Sequence, residues 1–119
     1  MATVLIVEDE TNMAELIRER LEDKGYKTVI AYTGSKGLEI ADNQNPDVIT
    51  LDIHLPDMNG VEVLKLLKKD KSSIPVIVVT SDDTVEKECK EYKADGFVKK
   101  PINFKKLEDI IKLAVQKTS

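Results

Sequence analysis

The chain has 119 residues, enough to bury one hydrophobic core and too few for two, so we predict a single domain covering residues 1–119. Its 18 Lys and Arg against 22 Asp and Glu give a net charge of −4, which argues against direct nucleic-acid binding, because that binding requires a basic face. One cysteine, no signal-peptide pattern and no apolar run near the ~20 residues of a membrane span leave a reducing cytoplasm as the expected location.

The first half of the chain alternates apolar runs with helical patterns. Thr3–Val7 is a nearly continuous apolar run, as in a strand that is covered on both faces. Apolar side chains then recur at helical spacing, at Met13, Leu16, Ile17 and Leu21. Gly25 is placed to end this helix. Thr28–Ala31 is the second predicted strand, and a helix through Leu38 follows it and ends at Asn45-Pro46.

The second half repeats this alternation. Val48–Leu51 is the third predicted strand, and the helix after it has its apolar positions at Val61, Leu64 and Leu67. Val76–Val79 is the fourth strand. The stretch from Asp83 to Tyr92 has few apolar positions and predicts a short or loosely held helix. Gly96–Lys99 is a short fifth strand, and the last helix is lined by Leu107, Ile110, Ile111 and Ala114.

Five buried strands that alternate with five helices indicate an α/β fold with one doubly wound, mainly parallel sheet and helices on both faces. In such sheets, ligands bind at the carboxyl ends of the strands, beside the point where the strand order reverses. The residues directly after each strand are therefore the candidates for a functional site.

Charged and hydroxyl side chains occupy these positions: Glu8, Asp9, Asp52, Thr80 and Lys100. Each alone has an ordinary explanation, such as a loop start, a turn residue or a helix cap. Together, three carboxylates in one partly buried cleft repel one another, unless a cation compensates their charge. Mg²⁺ binds a few carboxylates together with waters and phosphate oxygens, and Mn²⁺ could replace it.

A phosphate group would complete such a magnesium site. Lys100 and the hydroxyl of Thr80 could bind its remaining oxygens, and the metal would offset charge as a phosphoryl group moves. A carboxylate can itself be the nucleophile, which gives an aspartyl phosphate.

Four motifs in this order resemble the receiver domain of bacterial two-component response regulators: LIVED at 5–9, DIHLPDMNG at 52–60, VIVVTS at 76–81 and ADGFVKKP at 94–101. The resemblance covers essentially the whole chain. It implies a flavodoxin-like receiver fold with the strand order 2-1-3-4-5, which is also the strand order of the chemotaxis receiver.

The resemblance also implies roles for single residues. Asp52 would be the phosphoacceptor, which takes a phosphoryl group from the phosphohistidine of a histidine kinase or phosphotransfer protein. Glu8 and Asp9 would bind Mg²⁺ with Asp52, and His54 would add its backbone carbonyl. The resemblance further implies phosphoryl-oxygen ligands at Thr80 and Lys100, a cis peptide at Lys100-Pro101, and a switch made of Thr80 and Phe97.

Partners and tuning residues follow from the same resemblance. The surface of the fourth helix, fifth strand and fifth helix would bind a downstream protein or output domain, and a homodimer could form on phosphorylation. His54 and Asp82 stand two residues after Asp52 and Thr80, where side chains in the family influence phosphate loss. The plainer interpretation of His54 is a solvent-facing side chain with only its backbone involved, and that of Phe97 is a core aromatic.

Two departures from the family pattern are Ser81, where alanine is frequent, and Lys93, where glycine is frequent. Two other functions stay open. An aspartate-nucleophile phosphatase of the haloacid dehalogenase type also places Asp after a parallel strand with Mg²⁺, but its D-x-D-x-T pattern is absent after Asp52. A degenerate receiver would act by protein contacts alone. We expect a signalling module that assists its own phosphotransfer and dephosphorylation, and not an enzyme with an independent substrate.

Overall fold

The computed structural model describes residues 1–71 and 73–118. Within them, five parallel strands form one sheet. In chain order the strands are β1 (Thr3–Val7), β2 (Lys27–Ala31), β3 (Val48–Leu51), β4 (Val76–Thr80) and β5 (Gly96–Lys99). Their spatial order is β2-β1-β3-β4-β5, so the strand order reverses between β1 and β3. The predicted sheet and its strand order are confirmed.

The helices cover both faces of this sheet. In chain order they are α1 (Thr11–Asp23), α2 (Gly34–Gln44), α3 (Gly60–Asp70), α4 (Glu86–Glu91) and α5 (Phe104–Thr118). A 3₁₀ turn at Asp83–Val85 precedes α4. One core cluster lies under α2, α3 and α4, and the other lies under α1 and α5. This is the predicted doubly wound, flavodoxin-like arrangement. None of the helices in the described ranges combines the length and apolar character of a bilayer span.

The apolar runs of the sequence are explained by a sheet with two buried faces. Along β1, Leu5 and Val7 belong to the core under α2 and α3, whereas Val4 and Ile6 belong to the core under α1 and α5. Side chains in a strand alternate between faces, so both sets must be apolar. β3 and β4 are buried at every position, which places the residues that follow them at the centre of the sheet edge.

Local signals set the ends of three helices. The Thr33 hydroxyl accepts a hydrogen bond from the Lys36 amide at 3.1 Å and caps α2. The Asn59 side chain accepts one from the Val61 amide at 2.8 Å and caps α3. Gly25, just after α1, has a φ of 93°, which glycine adopts without steric cost. The caps at Thr33 and Asn59 satisfy amides that have no partner inside the helix.

Two helices refine the sequence prediction. α1 buries one stripe, formed by Ala14, Ile17 and Leu21. Leu16 neighbours Ile17 in sequence and therefore points about 100° away from it, and it is 40% exposed. α4 has six residues, and Cys89 is the one it buries. The predicted short helix in this region is confirmed.

Candidate functional site

The parallel register brings the predicted site residues to one edge of the sheet. The amide of Asp52 donates to the carbonyl of Val7 at 3.0 Å, and the amide of Lys100 donates to the carbonyl of Thr80 at 2.9 Å. These bonds continue the strand pairing by one residue beyond β3 and β5. Asp52 is thereby held beside Glu8, which directly follows β1.

Three carboxylates converge there. One oxygen from each of Glu8, Asp9 and Asp52 lies within 4.8 Å of the others. Glu8 and Asp52 are buried, with 2% and 6% of their surface exposed, and Asp9 is exposed to solvent. Hard oxygen donors at this spacing with one open side fit Mg²⁺, which binds through a few carboxylates and keeps several waters. The donor set fits the metal that the sequence predicted.

Lys100 bridges the two buried carboxylates. Its Nζ lies 2.7 Å from Glu8 Oε1 and 3.0 Å from Asp52 Oδ2. Burial raises the pKa of the Glu8 carboxyl to about 7, although the hydrogen bond from Lys100 opposes the shift, and the nearby charge of Asp52 adds to it. Burial alone would lower the pKa of Lys100, but its bonds to both carboxylates outweigh burial and raise it. The ammonium is thus held in its charged form beside Asp52.

Both oxygens of the Asp52 carboxylate accept hydrogen bonds. Its Oδ1 accepts hydrogen bonds from the amide of Ile53 at 2.7 Å and from the amide of His54 at 3.3 Å. Its Oδ2 accepts the bond from Lys100. Each oxygen therefore has a defined environment, one made of backbone amides and the other of an ammonium group.

Thr80 ends β4 and is fully buried. Its hydroxyl oxygen accepts a hydrogen bond from the Asp82 amide at 3.2 Å. The structure therefore places Thr80 at the same edge as Asp52, with its hydroxyl bonded to the loop that leads to α4.

His54 and Asp82, which the resemblance paired, are in direct contact. His54 Nε2 lies 3.1 Å from Asp82 Oδ2. The His54 side chain is 66% exposed and that of Asp82 is 23% exposed. Thr84 donates to Asp82 from its hydroxyl and its amide, and these bonds, together with His54, lower the pKa of Asp82. The two side chains connect the loop after β3 to the loop after β4.

Phe97 and Pro101 lie on the β5 side of the edge. Phe97 pairs with Val78 in the register of β4 and β5, is half-buried and packs against the core under α2, α3 and α4. This position agrees with the plainer interpretation of Phe97 as a core aromatic and leaves a switching role untested. The peptide bond between Lys100 and Pro101 is cis, as the resemblance implied.

Sequence reasoning missed Asp57. Its Oδ1 accepts a hydrogen bond from the Gly34 amide at 2.8 Å, and its Oδ2 accepts one from the Ser35 amide at 3.0 Å. These bonds lower the pKa of Asp57. The sequence holds a weak signal for them, because an acidic residue after proline in a loop is a frequent hydrogen-bond acceptor, but nothing in it indicates α2 as the donor.

Comparisons with known proteins agree with this geometry. The profile of the family described as "Response regulator receiver domain" matches residues 4–112. The chain is 36% identical over 108 residues to the response regulator ArlR of Staphylococcus saprophyticus, an overlap of 90% of this chain and 49% of that protein. It is 35% identical over 114 residues to the polar-differentiation response regulator DivK of Brucella ovis, an overlap of 92% and 93%.

A solved structure with a similar fold is that of the response regulator TrrA of Thermotoga maritima in complex with Mg²⁺ and BeF. It superposes with a TM-score of 0.90 at 32% identity, covering 96% of this chain and 99% of that one. The chain spans about half the length of the first curated relatives it matches and nearly all of DivK. From its sequence, its fold and the acidic edge of its sheet, the chain belongs to the family of response regulator receiver domains of two-component systems.

Proposed function

We propose that Asp52 accepts a phosphoryl group from the phosphohistidine of a histidine kinase or phosphotransfer protein, in a reaction that depends on Mg²⁺. One observation carries this proposal: Glu8, Asp9 and Asp52 converge within 4.8 Å, and the ammonium of Lys100 contacts Asp52. A nucleophilic carboxylate, a set of metal ligands and a cation for phosphoryl oxygens are the parts that phosphoryl transfer requires.

In the proposed reaction, an oxygen of Asp52 forms a bond to phosphorus as the bond from phosphorus to the donor's histidine nitrogen breaks. The amides of Ile53 and His54 hold Oδ1 of Asp52 in place. Lys100, already 3.0 Å from Oδ2, would bind an oxygen of the incoming group. Bound Mg²⁺, held by the three carboxylates and the His54 carbonyl, would supply positive charge to the phosphoryl oxygens.

The signal would then pass to the α4 side of the edge. The Thr80 hydroxyl bonds to the Asp82 amide, so its recruitment by the phosphoryl group would pull on the loop before α4. Phe97 would fill the space that Thr80 vacates. The surface formed by α4, β5 and α5 would change its affinity for a downstream protein, an output domain or a second copy of the chain.

We further propose that the chain works as a signalling module in the cytoplasm and assists only its own phosphorylation and dephosphorylation. Asp52 lies at a partly buried edge of the sheet, and His54 stands where the dehalogenase-type phosphatases have a second acid. Steady turnover of small phosphate esters would contradict this proposal and favour the phosphatase alternative.

Mass spectrometry of the intact protein tests the phosphoacceptor. After treatment with a small phosphodonor and Mg²⁺, the protein should gain one phosphoryl group, and Asp52→Asn should gain none. Omitting Mg²⁺ should slow the modification strongly. A parent protein that gains no phosphoryl group would favour the degenerate receiver, and modification that persists in Asp52→Asn would assign the acceptor elsewhere.

A further inference from the structure

The loop between β3 and α3, residues 52–59, is closed on itself at its base. His54 and Asn59 form an isolated antiparallel bridge, and the Gly60 amide donates to the Ile53 carbonyl at 2.7 Å. These bonds join the two ends of the loop. They leave the position of its tip, residues 55–58, to be set by contacts with other parts of the chain.

Asp57 ties this tip to α2. Its two carboxylate oxygens accept hydrogen bonds from the amides of Gly34 and Ser35, which lie 23 and 22 residues away in sequence. Met58 packs against the same point, since a Cβ placed on Gly34 would lie 2.5 Å from Met58 Cγ. A carboxylate at the positive end of an eleven-residue helix is also favoured by the helix dipole.

The other side of the loop is tied to the loop after β4 by the contact between His54 and Asp82. The segment that follows the phosphoacceptor is therefore held between α2 and the α4 side of the sheet edge. Asp52 depends on this segment directly, because the amides of Ile53 and His54 orient its Oδ1.

We propose that Asp57 is a positioning residue for phosphorylation: by anchoring the loop tip to α2, it limits opening of the hydrogen-bonded base at Ile53 and His54, and with it movement of the Asp52 carboxylate and the metal site. This proposal rests on the proposed phosphoacceptor function of Asp52. Asp57 touches neither the acceptor nor the metal ligands in the contacts described above, so its effect passes through the loop.

The alternative is that Asp57 only caps α2. The chain offers a matched control for this, because Thr33 caps the same end of the same helix through the Lys36 amide and has no described bond to the loop. Thr33→Ala weakens the start of α2 and leaves the anchor in place. Asp57→Ala weakens the start of α2 and also releases the loop.

Hydrogen exchange of the amides, measured by NMR on the metal-free protein, separates the two roles. In Asp57→Ala, exchange at Ile53 and His54 should accelerate about tenfold relative to the amides of β1, as expected for a local opening. Thr33→Ala should leave this ratio unchanged. Asp57→Asn keeps one acceptor oxygen and should give an intermediate ratio, and it replaces Asp57→Ala if the alanine variant fails to fold.

Titration of the same samples with Mg²⁺ gives a second measurement. Asp57→Ala should bind the metal about tenfold more weakly, the usual scale for loss of an outer contact that orients ligands. Thr33→Ala should match the parent protein. Phosphorylation by a small phosphodonor should slow in the same order.

Equal exchange ratios and equal Mg²⁺ affinities in Asp57→Ala and Thr33→Ala would overturn the positioning role and leave Asp57 as a helix cap. A parent protein that takes no phosphoryl group on Asp52 would instead refute the proposed function. Because the exchange measurement needs neither metal nor phosphodonor, it still decides whether Asp57 fixes the loop.

Discussion

α3 and α4 lie on the same face of the sheet but are held very differently. α3 has eleven residues and buries five of them: Gly60, Val61, Val63, Leu64 and Leu67. α4 has six residues and buries Cys89. Since each buried apolar side chain contributes about 1.5–3 kcal/mol, α3 is anchored several times more strongly. The contrast teaches that the sheet edge at Asp52 lies between a firmly packed helix, α3, and a helix that can open at low cost, α4.

The substitution with the largest expected effect is Gly60→Ala, at the start of α3. A Cβ at Gly60 would lie 2.5 Å from the Asp52 carbonyl oxygen and closer still to the backbone of Ile53. Backbone atoms cannot move aside, so we expect a loss of about 3–5 kcal/mol in the free energy of unfolding, measured by urea titration. The control is Gly25→Ala, which has open space and only its φ of 93° to strain it, and should lose about 1 kcal/mol. Equal losses would contradict the close packing at Gly60.

A direct comparison of the two helices comes from one truncation in each. Leu64 in α3 is fully buried, and Leu64→Ala should lose about 3 kcal/mol in the free energy of unfolding. Cys89→Ala removes a smaller group from α4 and should lose about 1 kcal/mol. If Cys89→Ala destabilises the protein as much as Leu64→Ala does, α4 is as firmly anchored as α3.

The pH dependence of stability should come from the buried carboxyl group of Glu8 at the sheet edge. The Glu8 pKa is raised from 4.5 to about 7 in the folded, metal-free protein, so the folded state binds a proton more readily than the unfolded state. Its contribution is therefore favourable below about pH 4.5 and is lost as the pH rises to about 7. Relative to Glu8→Gln, the parent protein should lose roughly 2 kcal/mol in its free energy of unfolding between pH 5 and pH 8.

Urea titrations at several pH values, with and without Mg²⁺, measure this effect. Mg²⁺ should restore the loss at pH 8, because a ligand that binds only the folded state stabilises it. The control is the exposed pair of Lys99 and Asp83 on the α4 side, at 2.9 Å, where Asp83→Asn should change little at any pH. A parent protein whose stability rises over this pH range relative to Glu8→Gln would contradict the raised pKa.

The smallest expected effect concerns the contact between α3 and Tyr92, the residue after α4. Lys65 Nζ of α3 lies 4.5 Å from the ring centre of Tyr92, which follows α4. Both side chains are partly exposed, so a double-mutant cycle of Tyr92→Leu and Lys65→Met should give a coupling of about 0.5 kcal/mol. Tyr92→Leu should also speed amide exchange in α4 more than in α3. A coupling of zero would mean that this contact does not hold α4 in place.

The fold and the residues that meet at the site could be predicted because they depend on local patterns. Continuous apolar runs mark strands with two buried faces, and the residues after them must meet at one edge of a parallel sheet. Asp52, Glu8 and Lys100 could therefore be placed without coordinates. The short α4 could be predicted because few apolar residues occur between Asp83 and Tyr92.

The missed details depend on how helices pack across long sequence distances. The bonds from Asp57 to the start of α2 arise only once α2 and α3 lie side by side. The exposure of Leu16 depends on which stripe of α1 faces the sheet, and its helical spacing does not decide this. That Lys100 bridges both Glu8 and Asp52, instead of pairing with one of them, follows from the side-chain geometry at the edge.

The single buried residue of α4 also gives the protein a native chemical reporter. Cys89 is the one cysteine in the sequence, its side chain is fully covered, and burial raises the pKa of its thiol. A thiol reagent can label it only when α4 lifts from the core, since the reactive form is an accessible thiolate. The labelling rate therefore measures how often α4 opens in the unmodified chain. Comparing the rates before and after treatment with a phosphodonor would show whether this opening changes, without an added dye or tag.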